Sequence, residues 1–375
     1  MMNGSREPSA SGKGNHYPIL DALRFFLALW VTLDHSGPFP LFAGVDTSTA
    51  LGRFLTHAWS SVFFGVPAVI GFFIISGFCI HLPFMNQKKL PVGRYYARRY
   101  TRILVPVFVA VWIWRVFGNK QPWWGEHSIL WQSVLWSLVC EEIYYALYPL
   151  VRWIRVRYGW ARVFGTSFAL SVGFASTHLH AVDWTAYGPI GTAFLLYPVW
   201  LLGCTLAEKS AGIPALDSAW VIWKWRFFAW AGSWVCEMLH FKTRIHIPLT
   251  MFFFGVLAWL WMEKEIAYGK THSPSRLLVF GGAWSYSLYL IHPSAPALFQ
   301  QLRLPNLGYV VNWCAELALA LAMSYVFYLL VERPSHRLAR RIRVTDRRPE
   351  VPAPDPIPSP RISGVEPESS PVVRI

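Results

Sequence analysis

The sequence predicts an all-α fold, a polytopic membrane bundle of about ten transmembrane helices, and composition, segment length and charge asymmetry each lead there. Of the 375 residues 54% are hydrophobic and only 14% charged, whereas a soluble domain carries nearer a quarter charged residues. Apolar stretches recur too often for one buried core, near 18–36, 60–82, 103–118, 129–150, 160–178, 189–207, 219–239, 247–263, 277–300 and 309–332. Most are long enough to cross about 30 Å of hydrocarbon at 1.5 Å per residue. With a cytoplasmic N-terminus, the loops on that side hold 23 Lys and Arg, against five on the other, namely Arg53, Lys120, Lys242, Arg244 and Arg303. That is the positive-inside pattern, so the chain is read as a multi-pass protein of the cell membrane with both termini cytoplasmic. The net charge of +14 is then a topology signal first. It points to membrane lipids or an anionic cytosolic substrate as partners, and no nucleic acid is expected.

The chain divides into a cytoplasmic N-terminal segment, residues 1–17, a membrane domain, 18–341, and a tail, 342–375. The first apolar segment, LDALRFFLALWVTLDHSG, carries Arg24 and His35 with ten residues between them. They lie about three turns apart on one helix face, roughly 16 Å along the axis. An ionisable group in a membrane helix costs a few kcal/mol or more unless it faces a bundle interior or a watery cavity, so the pair predicts a polar shaft. Arg24 also interrupts the apolar run and no small-residue cleavage site follows, so the segment reads as an anchor rather than a cleaved leader.

Before the third segment, GRYYARRYTRILVP holds Arg98, Arg99 and Arg102. Arg99 and Arg102 are helix-face neighbours able to grip phosphate oxygens, although such a run also serves as a topology anchor. The fourth segment, LWSLVCEEIYYALYPL, places Glu141 and Glu142 in an apolar run. They diverge by about 100°, and Ser137 and Tyr145 share the face of Glu141. An acid so placed is either functional or paired, with Arg24 as the candidate partner. The fifth segment is rich in small and polar residues, and the seventh requires Lys224 and Arg226 to snorkel toward an interface. In the ninth, WSYSLYLIHPSAP, His292 precedes a proline that permits a kink, and the histidine either makes a structural hydrogen bond or takes part in chemistry.

His178 with His180, and His240 with His246, lack a metal-ligand pattern, and no metal centre is expected. The five cysteines fall in or at the ends of apolar segments and read as small buried groups. The tail is rich in Pro, Ser and Glu with few large apolar residues, so it reads as disordered.

Five stretches taken together, LDALRFFLALWVTLDH, GFFIISGFCI, YARRYTRILVP, LWSLVCEEIYYALYPL and SYSLYLIHP, resemble the acyltransferase 3 family of integral-membrane acyltransferases. ERPSHRLARRI completes the pattern. The family moves acyl groups, often acetyl, onto hydroxyls of glycans, lipids and natural products. Its Arg-x10-His pattern falls on Arg24 and His35, its Arg-x-x-Arg on Arg99 and Arg102, and its Ser-Gly on Ser76 and Gly77. Its Trp-Ser-Leu-x-x-Glu falls on Trp136, Ser137, Leu138 and Glu141, and its Ser-Tyr-x-x-Tyr-Leu-x-His on Ser285, Tyr286, Tyr289, Leu290 and His292. Departures are mild: Ala22 stands where Gly is frequent, Cys140 and Ile143 replace more typical residues, and no esterase-like domain follows.

The resemblance implies His35, Arg24 and Glu141 as catalytic residues, and Arg99, Arg102, Ser76, Ser137, Tyr286 and His292 as substrate-binding ones. It implies acyl-CoA, acetyl-CoA foremost, as donor, with no tightly bound cofactor and a hydroxyl of a glycan, glycolipid or natural product as acceptor. A histidine suits removal of the hydroxyl proton at neutral pH. Asp34 diverges from His35 by about 100°, so Glu141 or a water is expected to orient it. The rival readings are a proton-coupled transporter or exporter of an acylated product, which intramembrane Arg, His and Glu would also suit, and a lipid-binding scaffold, which leaves the aligned Arg24 and His35 unexplained.

Overall fold

The computed structural model describes residues 16–37, 39–87, 89–125, 127–178, 187–243 and 247–342, without the side chains at 240–243, 247 and 248. The tail, most of the N-terminal segment, His180, His246 and the His240 side chain lie outside the described residues. Within them every regular element is helical and none is a strand. In chain order these are α1 (Pro18–His35), α2 (Ala50–Ser60), α3 (Gly65–His81), α4 (Val92–Val116), α5 (Ile129–Gln132), α6 (Leu135–Ser176) and α7 (Gly188–Lys209). There follow α8 (Ala219–Thr243), α9 (Ile247–Gly269), α10 (Arg276–Gly282), α11 (Ser285–Ile291), α12 (Ala295–Gln301), α13 (Tyr309–Phe327) and α14 (Arg333–Arg341).

Among the described residues three stretches, Ala50–His81, Gly188–Lys209 and Tyr309–Arg341, are long and apolar enough to cross a membrane by length and composition. Each of the ten apolar segments falls on helix, but three are arranged differently from the expectation. The fourth and fifth form the two arms of α6, which breaks at Gly159, where φ is 80° and only glycine sits without strain. The ninth is broken into α10, α11, a 3-10 turn at His292–Ser294 and α12. Pro293 has no N–H to donate and its ring crowds the Tyr289 carbonyl, which ends α11.

The centre of the bundle is α3, apolar on every side and buried on nearly all of them, as a helix without a polar face must be. It packs against α1, α7 and α9, while α1 also meets α10 and α11. The α3–α7 contact is a backbone contact. A Cβ on Gly77 would stand 2.1 Å from the Trp200 carbonyl oxygen, and one on Gly203 2.0 Å from that of Ile74, so only glycine lets the helices approach this closely.

Several charged groups inside the bundle are paired, whereas both carboxylate oxygens of Glu142 are buried without a hydrogen-bond partner among the described residues. His81, 1% exposed, lies with Nε2 2.9 Å from Glu208 Oε1, and Glu208 also takes Arg155 and the indole N–H of Trp160 at 2.7 Å, joining α3, α6 and α7. Arg226 does not snorkel as expected. It forms a two-pronged ion pair of 2.7 and 2.9 Å with the buried Glu265, which also accepts from Trp261. Outward, Phe108, Trp112, Trp220, Phe253 and Leu330 are exposed. Apolar surface of this extent suits hydrocarbon rather than water.

After α13 the chain makes a π-helical turn over Tyr328–Glu332 before α14. Pro334 explains it, since it cannot donate to the Leu330 carbonyl and its ring forces the preceding turn wider. The wider turn carries Glu332 inward, to 1% exposure, where it accepts from the Ser287 N–H at 3.1 Å and hydroxyl at 2.5 Å.

Candidate active site

Two cavities lie along the face that Arg24 and His35 share. The first, about 210 Å³, is lined by Arg24, Arg99 and Arg102 together with Ser76, Ser137, Glu141, Tyr286, Glu332 and His336. The second, about 280 Å³, is lined by His35, Asp34, Glu237, Trp131, Gln132 and Trp136. Val69 and Tyr289 line both and therefore form the partition.

Six helices, α1, α3, α4, α6, α11 and α14, and the π-helical turn meet at the first cavity. Arg24 comes from α1, with Asp21 at 3.9 Å one turn away. Arg99 and Arg102 come from α4, Arg99 lying over the Tyr145 ring at 4.9 Å while Arg102 donates from Nε to His336 Nε2 at 2.9 Å. That last bond occupies one edge of the guanidinium and leaves its remaining N–H groups for the cavity. Glu141 lies beside Ser76 and Tyr145, whose hydroxyls are 2.7 Å apart, and Ser76 also accepts from Trp200 Nε1 at 3.2 Å. Ser137 Oγ lies 2.6 Å from the Tyr289 hydroxyl, and Tyr286 donates to the Ile103 carbonyl at 3.2 Å. The hydroxyls are thus held by the protein, and the arginines are the groups with donors to spare.

At the second cavity His35 is exposed, with Nδ1 2.9 Å from the Val31 carbonyl oxygen and 3.3 Å from Nε2 of His292. His292 itself is 3% exposed, lines neither cavity, and has Nδ1 3.0 Å from the Leu288 carbonyl oxygen. A cavity holding three guanidinium groups suits an anion, and one presenting an imidazole suits proton transfer.

The profile of the acyltransferase 3 family, described as an acyltransferase domain, matches residues 17–329. The chain belongs to that family. Among curated proteins, this acyltransferase is 27% identical over 387 residues to the acyltransferase MdmB of Streptomyces mycarofaciens, covering 90% of this chain and 95% of that protein. No solved structure matches it. It is a transferase enzyme, and its membrane character follows from the family and from its apolar helices.

The acyltransferase brings Arg24, Arg99, Arg102, Ser76, Ser137, Glu141 and Tyr286 to one cavity and His35 to the other. Two expected partnerships differ. No ion pair joins Arg24 to Glu141 among the described residues, and the group that meets His35 is His292 rather than Glu141. Cys79 is exposed and opens onto the first cavity, and Cys314 is exposed as well, whereas both were expected to be buried. Sequence reasoning missed Glu332, His336 and Glu237. An acid inside an apolar run was the signal that singled out Glu141, and the same signal marks Glu237 in the seventh segment and Glu332 at the end of the tenth.

Proposed function

We propose that the enzyme moves an acyl group, acetyl foremost, from acyl-CoA on the cytoplasmic side to a hydroxyl of a glycan, glycolipid or natural product. It does so within a multi-pass bundle of about ten spans with both termini cytoplasmic. The observation that carries this reading is the division of the site into an arginine-lined cavity and a histidine-bearing one that share only Val69 and Tyr289. In this reading Arg99 and Arg102 hold the phosphates of the CoA moiety, and the thioester reaches past Arg24, with Ser76, Ser137 and Tyr286 along its path. The acceptor hydroxyl enters from the other side.

His35 takes the hydroxyl proton as the oxygen attacks the thioester carbonyl carbon. The new C–O bond forms, the negative charge gathers on the carbonyl oxygen, and the C–S bond then breaks, while Arg24, about three helical turns from His35, holds the donor in the first cavity. The thiolate leaves and recovers the proton from His35, so that ester and free CoA are the products. Glu141, close to Arg99 and Arg24, balances the cationic cavity. No tightly bound cofactor enters this scheme, and the partners are acyl-CoA, the acceptor and membrane lipids.

The test is CoA release by the purified enzyme in lipid nanodiscs, given acetyl-CoA and a panel of hydroxyl acceptors. Acceptor-dependent release with ester formation is expected. Solute movement with no CoA release would instead favour the transporter.

A further inference from the structure

We propose that His292 is the positioning residue of His35, fixing which of its ring nitrogens is free to take a proton; this rests on His35 acting as the base. The argument comes from two carbonyl oxygens. A carbonyl only accepts, so a ring nitrogen in hydrogen-bond reach of one must carry the hydrogen. His292 Nδ1 lies 3.0 Å from the Leu288 carbonyl oxygen, so in the neutral ring its Nε2 holds the lone pair. His35 Nδ1 lies 2.9 Å from the Val31 carbonyl oxygen, so it too is an N–H, and its hydrogen is shared with Nε2 of His292 at 3.3 Å. The reverse assignment would set a nitrogen lone pair against a carbonyl oxygen at both places. The lone pair of His35 therefore sits on Nε2, which has no partner among the described residues, on a ring that lines the second cavity.

The Val31 carbonyl belongs to the same helix as His35 and holds the ring only from one side. His292 comes from another element and is itself anchored. Its Nδ1 is tied to Leu288, it is 3% exposed, and Pro293 fixes the turn on which it sits. Once Nε2 has taken the hydroxyl proton, the His35 ring is a cation and its Nδ1–H a stronger donor, so the bond to His292 tightens at that moment. An interaction that strengthens only along the reaction acts on kcat, not on substrate affinity. The pair thus has the form of a base and its orienting group, with a neutral imidazole in the orienting place.

The experiment is nitrogen NMR of histidine-labelled full-length enzyme in nanodiscs, with His35→Gln to assign the signal, together with steady-state kinetics. In the neutral wild-type ring, His35 is expected as the Nδ1–H tautomer with Nε2 unprotonated. His292→Leu should give a mixture of tautomers and lower kcat about 10- to 100-fold, with KM for acetyl-CoA within about twofold. His292→Gln, whose side-chain oxygen accepts from the same N–H, should recover most of that loss. A wild-type His35 protonated on Nε2 would overturn the proposal without any substitution. So would an unchanged tautomer and kcat in His292→Leu. If the tautomer behaves as stated but no preparation transfers an acyl group, the positioning stands and the base role of His35 falls.

Discussion

His35, Arg99 and Arg102 carry the chemistry of the account, and each can be removed singly. His35→Ala should lower acyl transfer by about 10²–10⁴ while leaving insertion and thermal stability near wild type, because the ring is exposed on a cavity. Turnover within about threefold of wild type in a well-folded variant would take the base role from it. Arg99→Ala and Arg102→Ala should each raise KM for acyl-CoA about 10- to 100-fold, the loss of a charge-assisted contact of about 1.5–3 kcal/mol, with little change for the acceptor. Added salt should weaken donor binding in wild type if the proposed opening of the first cavity to the cytosol holds, because a partly solvated cavity is partly screened. Much of this site was legible residue by residue, because an ionisable group in an apolar run has no inexpensive place in a membrane. What the pattern did not contain was pairing across the bundle. That His292 meets His35, and that Arg102 meets His336, depends on how distant helices dock.

The elements hold these groups in place through close backbone contacts and breaks in the helices. Gly203→Ala should destabilise the enzyme by about 1–3 kcal/mol, because a Cβ there would overlap the Ile74 carbonyl 2.0 Å away and α3 and α7 would have to part. Gly165→Ala, in α6 with nothing near its would-be Cβ, is the control and should be neutral or stabilising by about 0.5–1 kcal/mol. Thermal unfolding of the two variants in the same detergent checks both, and equal melting temperatures would contradict the close-contact reading. Segment boundaries were readable from apolar length, as α1 shows, where the expected 18–36 became Pro18–His35. The interruptions were less so. Gly159, Pro293 and Pro334 are visible as letters, but whether a proline bends a helix, ends it or widens a turn depends on which neighbours satisfy the freed carbonyls. The π-helical turn before Pro334 is the case that matters, since it turns Glu332 into the first cavity.

At the scale of the whole molecule, the proposed direction of transfer rests on the two cavities. Under the proposed topology the arginines of the first lie toward the side of the basic loops, and His35 lies about three helical turns beyond Arg24. The signal for that proposed direction, the charge asymmetry of the loops, was legible in the sequence. The partition by Val69 and Tyr289 was not, because it arises where α3 meets α11 across the bundle. The most direct test uses proteoliposomes in which the orientation of the enzyme is known from protease access to the segment between α3 and α4. Acetyl-CoA added on the face that carries this segment should support transfer, and acetyl-CoA confined to the opposite face should not. Transfer that requires acetyl-CoA on the opposite face would contradict the account.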